Sequence, residues 1–327
     1  MTRGVMVLLA VMVAAAVQAE PMDGRMLPAD TRWYAHIDMT KLMGTEAGRL
    51  IRDQWAALPD SRRKLAEVKM ITGMDPWTDL RSVTVFGPVA GDAEAVAVIR
   101  ADADPATLEN VLALAQDYNA MTHAGRTVHI WTPDDGKHDT MALCVADPGT
   151  YVVGASPQRV KAAVDALDKA ATAAPLPLVE NVAADRWLEM AVSGLDTLEG
   201  VEDRKPWMSQ IRDLRASVGS DAGQMMMTVS GVMSDAQVAE RSRTMLEGFK
   251  AMAELRVAEV QPEAAALIAN ISVQSEGARV WLDASCPLDQ LRTMIQQRQR
   301  PTEGGEASPT GEGKPSLTAP LGHMLEL

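Results

Sequence analysis

From Trp33 to Met39 the chain carries the dense apolar run of a strand, and the helical spacing of Leu42, Leu50, Ile51, Trp55 and Leu58 follows until Pro59 interrupts it. A second helical piece is expected from Ser61 to about Ile71. Val83–Phe86 and Ala95–Ile99 form a hairpin signal around the turn residues Gly87-Pro88 and Gly91-Asp92. Asp104 followed by Pro105 marks a helix start, with Leu108, Val111, Leu112 and Ala115 as its inner stripe. Three short strands are then expected, Val128–Trp131, Met141–Val145 and Tyr151–Val153, parted by Pro133-Asp134-Asp135-Gly136 and Asp147-Pro148-Gly149. Ser156-Pro157 opens a closing helix that turns Val160, Val164 and Leu167 inward.

A comparable plan follows. Arg186–Val192 is strand-like, Asp196–Arg215 reads as broadly helical, and Met225–Val232 is a strand reached through Gly219–Gly223. Ser234 with Gln237 three residues on has the form of a capping box, whose helix is expected to bury Val238, Met245, Leu246 and Phe249. Ile271–Val273 and Arg279–Leu282 make a hairpin across Ser275-Glu276-Gly277, and Pro287 starts a last helix on Leu288, Leu291 and Ile295. A shift of 130 residues places Pro76-Trp77 on Pro206-Trp207, Arg126 on Arg256 and Pro157 on Pro287. With small insertions Arg32-Trp33 falls on Arg186-Trp187, and Asp79-Leu80-Arg81 on Asp213-Leu214-Arg215. The pattern predicts an α+β protein of two related halves, 27–172 and 178–298, each a mainly antiparallel sheet covered by helices. Ala170–Pro177 has the composition of a seam between them.

The two ends differ from this plan. Residues 1–19 show Arg3, the apolar run Val5–Val17 and Val17-Gln18-Ala19 before Glu20, the layout of a cleavable signal peptide, and thirteen apolar residues fall short of the roughly 20 that span a bilayer. The expected protein is therefore exported, periplasmic or extracellular, with no stable membrane span after cleavage. From Arg300 the composition turns to Gly, Pro, Ser, Thr and Glu, and residues 300–327 are expected to be disordered. Loss of Arg3 with the signal leaves 30 bases against 44 acids. That balance repels phosphate, so no nucleic-acid partner is expected. Arg62-Arg63-Lys64, flanked by Asp60 and Glu67, reads as a solvated helix face.

Few residues invite chemistry. Ser156 stands at a strand-to-helix elbow but is followed by Pro157, and a helix cap explains it. Its counterpart Cys286 would be the more reactive if it sat at a helix N-terminus, where a thiol pKa falls. An oxidising compartment permits Cys144 to pair with Cys286 but does not require it. His123, His129, Asp134, Asp135, His138 and Asp139 form the densest group of metal-ligand types. His36 and Asp38, two apart on a strand, share a face and could serve general-base chemistry. Met225-Met226-Met227 suggests soft-metal ligation, yet alternation sends the middle residue to the opposite face. No catalytic, cofactor-binding or metal-binding residue is assigned, and no cofactor is expected.

The start Leu27-Pro28-Ala29-Asp30-Thr31, with Trp33-Tyr34-Ala35-His36-Ile37-Asp38 and then Thr72-Gly73-Met74-Asp75-Pro76 before Asp79-Leu80, resembles uncharacterised exported bacterial proteins of the domain-of-unknown-function type. The resemblance implies export and a two-half build, and no substrate. The expected function is a non-enzymatic binding or scaffold protein of the cell envelope whose partner is a protein, a peptide or an apolar ligand. The alternative is an exported hydrolase or metal-dependent enzyme using His129–Asp139 or His36 with Asp38.

Overall fold

The computed structural model describes residues 22–90, 93–133, 138–173, 176–179, 185–197, 208–258 and 262–299. The expected signal peptide and C-terminal tail lie outside these residues, as do Pro206-Trp207. The chain divides into Met1–Arg292 and Thr293–Leu327, and the first of these holds the architecture that follows.

Strand β1 (Trp33–Asp38) leads into helices α1 (Met39–Gly44), α2 (Glu46–Ala57) and α3 (Pro59–Thr72). Then come β2 (Leu80–Gly87), β3 (Val96–Ala101), α4 (Pro105–Leu112), β4 (Asn119–His123), β5 (Arg126–Trp131), β6 (Met141–Asp147), β7 (Thr150–Gly154) and α5 (Pro157–Lys169). Later elements are β8 (Arg186–Ser193), β9 (Ile211–Asp221), β10 (Gln224–Met233), α6 (Ala236–Ala258), α7 (Pro262–Ala269), β11 (Ser272–Glu276), β12 (Arg279–Pro287) and α8 (Leu288–Gln299).

The fold is α+β. Among the described residues twelve strands join one sheet in the order β11-β12-β10-β9-β8-β1-β2-β3-β7-β6-β5-β4, and each of these pairings is antiparallel. The strands of residues 27–172 and 178–298 thus share a sheet, joined where β1 pairs with β8. Outward from β1 the order is β2, β3, β7, β6, and outward from β8 it is β9, β10, β12, β11. The strand orders correspond on the two sides, with the β4–β5 hairpin added at one edge. Pro157 and Pro287 fall at corresponding strand-to-helix junctions, whereas Arg126 lies in a strand and Arg256 in helix α6, so that alignment fails.

Local chemistry explains the element starts. Asp104 accepts from the Ala106 N–H and Ser156 from that of Arg159, each leaving a proline at the first helical position, where no N–H is missed. Thr45 does the same for α2 through Gly48. Gly73 ends α3 in the left-handed conformation at φ 71°, a backbone that suits glycine.

Three expectations need correction. Ile211–Asp221, covering the end of the stretch read as helix and most of Gly219–Gly223, is strand β9: its half-buried side chains lie between two long neighbours, and pairing overrides its mixed pattern. The α6 cap is Asp235, not Ser234, since its carboxylate accepts from Val238 at 2.9 Å. Met245 and Phe249 are exposed, at 52% and 54%, and Met252 and Leu255 continue the stripe. Besides α7, helix α6 meets the β10-β12-β11 end of the sheet, through Ala239, Val238 and Leu246 against Met233, Val280 and Val273. Met245 sits about 100° around the helix from Leu246 and so turns off that narrow strip.

In the first part of the chain the sheet has a core on each face. One contains Ile37, Leu80, Ile99 and Trp131, with Met39, Leu42 and Leu112 from the helices above them. The other contains Tyr34, Phe86, Val98 and Val152, closed by Val160, Ala163 and Val164 of α5 and by Leu27 and Leu178.

Candidate functional site

A cavity lies in the first of these cores, between the sheet and helices α3 and α4. Its floor is Ile99, Ala101, Trp131, Leu143 and Val153 from β3, β5, β6 and β7. Its roof is Ile71 and Met74 at the end of α3 with Leu108, Val111 and Leu112 of α4. Alternation puts the floor residues on one sheet face, and the caps at Asp104 and Gly73 set where the two helices start and stop. The space measures about 60 Å³. Ile71, Leu108 and Val111 are half-exposed, so the roof opens along the seam between the two helices.

The hydroxyls in this wall are already used, while the Trp131 indole Nε1 has no partner among the described residues. Thr72 Oγ1 donates to Val68 O at 2.8 Å and accepts from Met74 N–H at 3.2 Å. The Tyr151 hydroxyl donates to Ala103 O at 2.7 Å; burial raises its pKa, and the carboxylates of Asp104 and Asp102 add to the rise. A polar ligand group placed inside would lose water and find few partners, at a cost of about 1–3 kcal/mol.

The residues singled out by sequence do not assemble into one centre. His123 Nε2 donates to the Asp165 carboxylate of α5 at 2.8 Å, whereas His129 Nδ1 lies 2.9 Å from the Tyr118 hydroxyl on the opposite sheet face. The sheet separates the two imidazoles, Asp134 and Asp135 lie outside the described residues, and among the described residues no group of three ligand-type side chains converges. Glu109 stands 3.7 Å from His129 Nε2, beyond hydrogen-bond reach. Burial lowers the His129 pKa and Glu109 opposes the shift.

That direction gives a pH test. Because the folded pKa is depressed, the unfolded chain takes up this proton first, so the contribution to stability is full above about pH 6.5 and is lost as pH falls through the folded value. His129→Gln does not titrate there. Its urea midpoint is expected to fall less than that of the parent between pH 7 and pH 5; equal falls would mean that His129 is solvated in the fold.

His36 Nδ1 lies 2.8 Å from Thr84 Oγ1, while Asp38 caps α1 through Lys41 N–H at 2.9 Å and faces Lys41 Nζ at 3.6 Å. Across the β1–β8 pair the same-face neighbour of His36 is Glu189, whose carboxyl pKa burial raises and Lys41 lowers. Ser217, Thr228, Asp283 and Ser272 continue this row in register over β9, β10, β12 and β11. The row was not legible in the sequence, because it exists only once register is fixed. Ser156 Oγ is engaged as a cap, and Arg62, Arg63 and Lys64 are exposed on α3.

Cys144 and Cys286 are free thiols. Cys286 lies at the end of β12, two residues before α8, and burial raises its pKa against the lowering by a Leu291 backbone hydrogen bond, so the net shift is upward where a lowered one was expected. Cys144 is shifted up by burial as well.

No family model matches the chain, and no curated protein matches it. Among solved structures it is similar to crystal form III of TP0453, at 12% identity and a TM-score of 0.45 over 86% of this chain and 100% of that one. Crystal form IV of TP0453 gives 10% identity and a TM-score of 0.43 over 85% and 97%.

Proposed function

We propose that this is an exported, non-enzymatic binding protein of the cell envelope that holds the apolar part of a small ligand between the sheet and helices α3 and α4. The observation that carries the reading is the cavity, whose wall is almost wholly apolar and whose two hydroxyls are internally bonded. Small-molecule sites have this character, an apolar hollow of limited size opening at an element boundary. Export rests on the signal-like residues 1–19. The reading of two related halves is supported by the equal strand orders on either side of β1–β8. Among the described residues no helix is long and apolar enough to cross a membrane.

The size of the space selects for shape. About 60 Å³ has room for a few methylene groups, and is under half of the roughly 150 Å³ dry cavity that accepts benzene. A slim chain entering end-on fits better than a ring. Binding of 1-hexanol, 1-octanol and 1-decanol, followed by titration calorimetry, tests this. Each added CH2 is expected to tighten binding about fourfold until the space is filled, from ~0.8 kcal/mol per buried CH2. Val111→Trp, which fills the seam from a half-exposed position, is expected to abolish binding while leaving the thermal transition in place. Equal binding by the Val111→Trp protein would place the ligand elsewhere and remove the proposal.

A further inference from the structure

The groups around the opening point to the rest of the ligand. We infer that the cavity takes a single-chain amphiphile with a cationic or neutral head, and discriminates against an anionic head of the same chain length. The inference rests on the cavity reading above and adds the charge selection.

The wall offers a head group little, the Trp131 indole N–H being the lining side-chain donor with no partner among the described residues. Its hydroxyls on Thr72 and Tyr151 already donate to backbone carbonyls, so a head group stays at the seam, in reach of the charges there. Asp102 and Asp104 flank Ala103, which lines the cavity, and both carboxylates act on Tyr151 in the wall. Glu109 follows the lining residue Leu108 on α4. Beyond the end of α3 stand Asp75 and Asp79.

The bases in this region are committed. Lys69 pairs with Asp75 at 3.0 Å, and Arg81 pairs with Asp102. That leaves Asp79, Asp104 and Glu109 with no Lys or Arg ion pair among the described residues, although Asp79 and Asp104 accept local hydrogen bonds and Glu109 stands 3.7 Å from His129 Nε2. The C-terminal end of α3 adds partial negative charge, which the partial positive charge of the α4 N-terminus at Asp104 offsets. With Asp75 and Asp102 paired, the carboxylates of Asp79, Asp104 and Glu109 leave a net negative charge in this region, which favours a cation at the seam over a carboxylate or sulfate.

Three ten-carbon probes below their micellar concentrations test this on the full chain: decyltrimethylammonium, 1-decanol and decyl sulfate. The expected order is cation first, alcohol next, and the anion at least about 10-fold weaker than the cation at 20 mM salt, with the gap narrowing at 500 mM as screening sets in. Because the whole chain is acidic, a local control is needed. Asp104→Asn with Glu109→Gln keeps a capping side chain at position 104, and is expected to cut the cation-to-anion preference to about 3-fold or less with decanol binding unchanged. Glu276→Gln, on the distant strand β11, is expected to leave the preference as it is. Binding of all three probes with equal affinity overturns the charge inference and leaves the cavity reading standing. A preference that responds to Glu276→Gln as much as to the double substitution also overturns it, by reducing it to net charge. Failure of every probe to bind removes the cavity reading itself.

Discussion

Trp131→Ala is expected to lower the unfolding free energy by about 3–5 kcal/mol, the range for deleting a large aromatic side chain from a packed core. Trp131 is 2% exposed, sits opposite Met141 across the β5–β6 pair and forms part of the cavity floor. Space already left beside it makes collapse of the neighbours harder, which favours the upper half of that range. The conservative change separates volume from polarity. The indole Nε1 has no hydrogen-bond partner among the described residues, so Trp131→Phe gives up packing and no polar contact, and about 1–2 kcal/mol is expected. Urea unfolding at constant m-value reads both. If the phenylalanine variant were as damaged as the alanine one, the indole N–H would have to be bonded in the fold, and the apolar description of the floor would fail.

Much of the fold near this site was legible because local signals there agree with tertiary burial. Asp104-Pro105 and Ser156-Pro157 start helices as read, and the runs at Val128–Trp131 and Met141–Val145 are strands since they are buried on both faces. Strand β4 was missed. Its residues Asn119–His123 are mostly exposed on a sheet edge, where hydrogen bonds to β5 rather than burial hold them, so no apolar period is written into them. The reverse happened in α6. Met245, Phe249 and Met252 have the helical spacing of a core stripe, yet the sheet end beneath the helix is too narrow to cover it. Periodicity reports which side chains share a face, and not whether anything lies opposite. The cavity was unreadable for a related reason. Leu108, Val111 and Leu112 were recognised as an inner stripe, but a gap between packed elements depends on the distance of α3 and α4 from the sheet, which no single segment encodes. The ligand-type residues failed differently: proximity along β4 and β5 placed His123 and His129 together in the sequence, and strand alternation put them on opposite faces.

Gly48→Ala is expected to destabilise the protein by about 1–3 kcal/mol, although glycine-to-alanine inside a helix ordinarily gains ~1 kcal/mol. Gly48 is buried in the first turn of α2, where the cap at Thr45 folds the chain back on α1. A Cβ built there would stand 2.0 Å from Leu42 O and 2.5 Å from Leu42 C. Those are backbone atoms, so no side-chain rotation relieves the overlap and the α1–α2 elbow must open. The elbow also holds Leu42, 2% exposed, in the core that continues beneath α4, and strain introduced there is passed to the helices over the sheet. Gly248 supplies the opposite case in the same chain. It lies inside α6, exposed, and a Cβ there meets nothing within 4 Å, so Gly248→Ala carries only the propensity term and is expected to stabilise by about 0.5–1 kcal/mol. Urea midpoints of the two variants should therefore move in opposite directions. Movement of both upward would show that the α1–α2 elbow yields at little cost, and that the close approach of Gly48 to Leu42 does not hold the two helices in place.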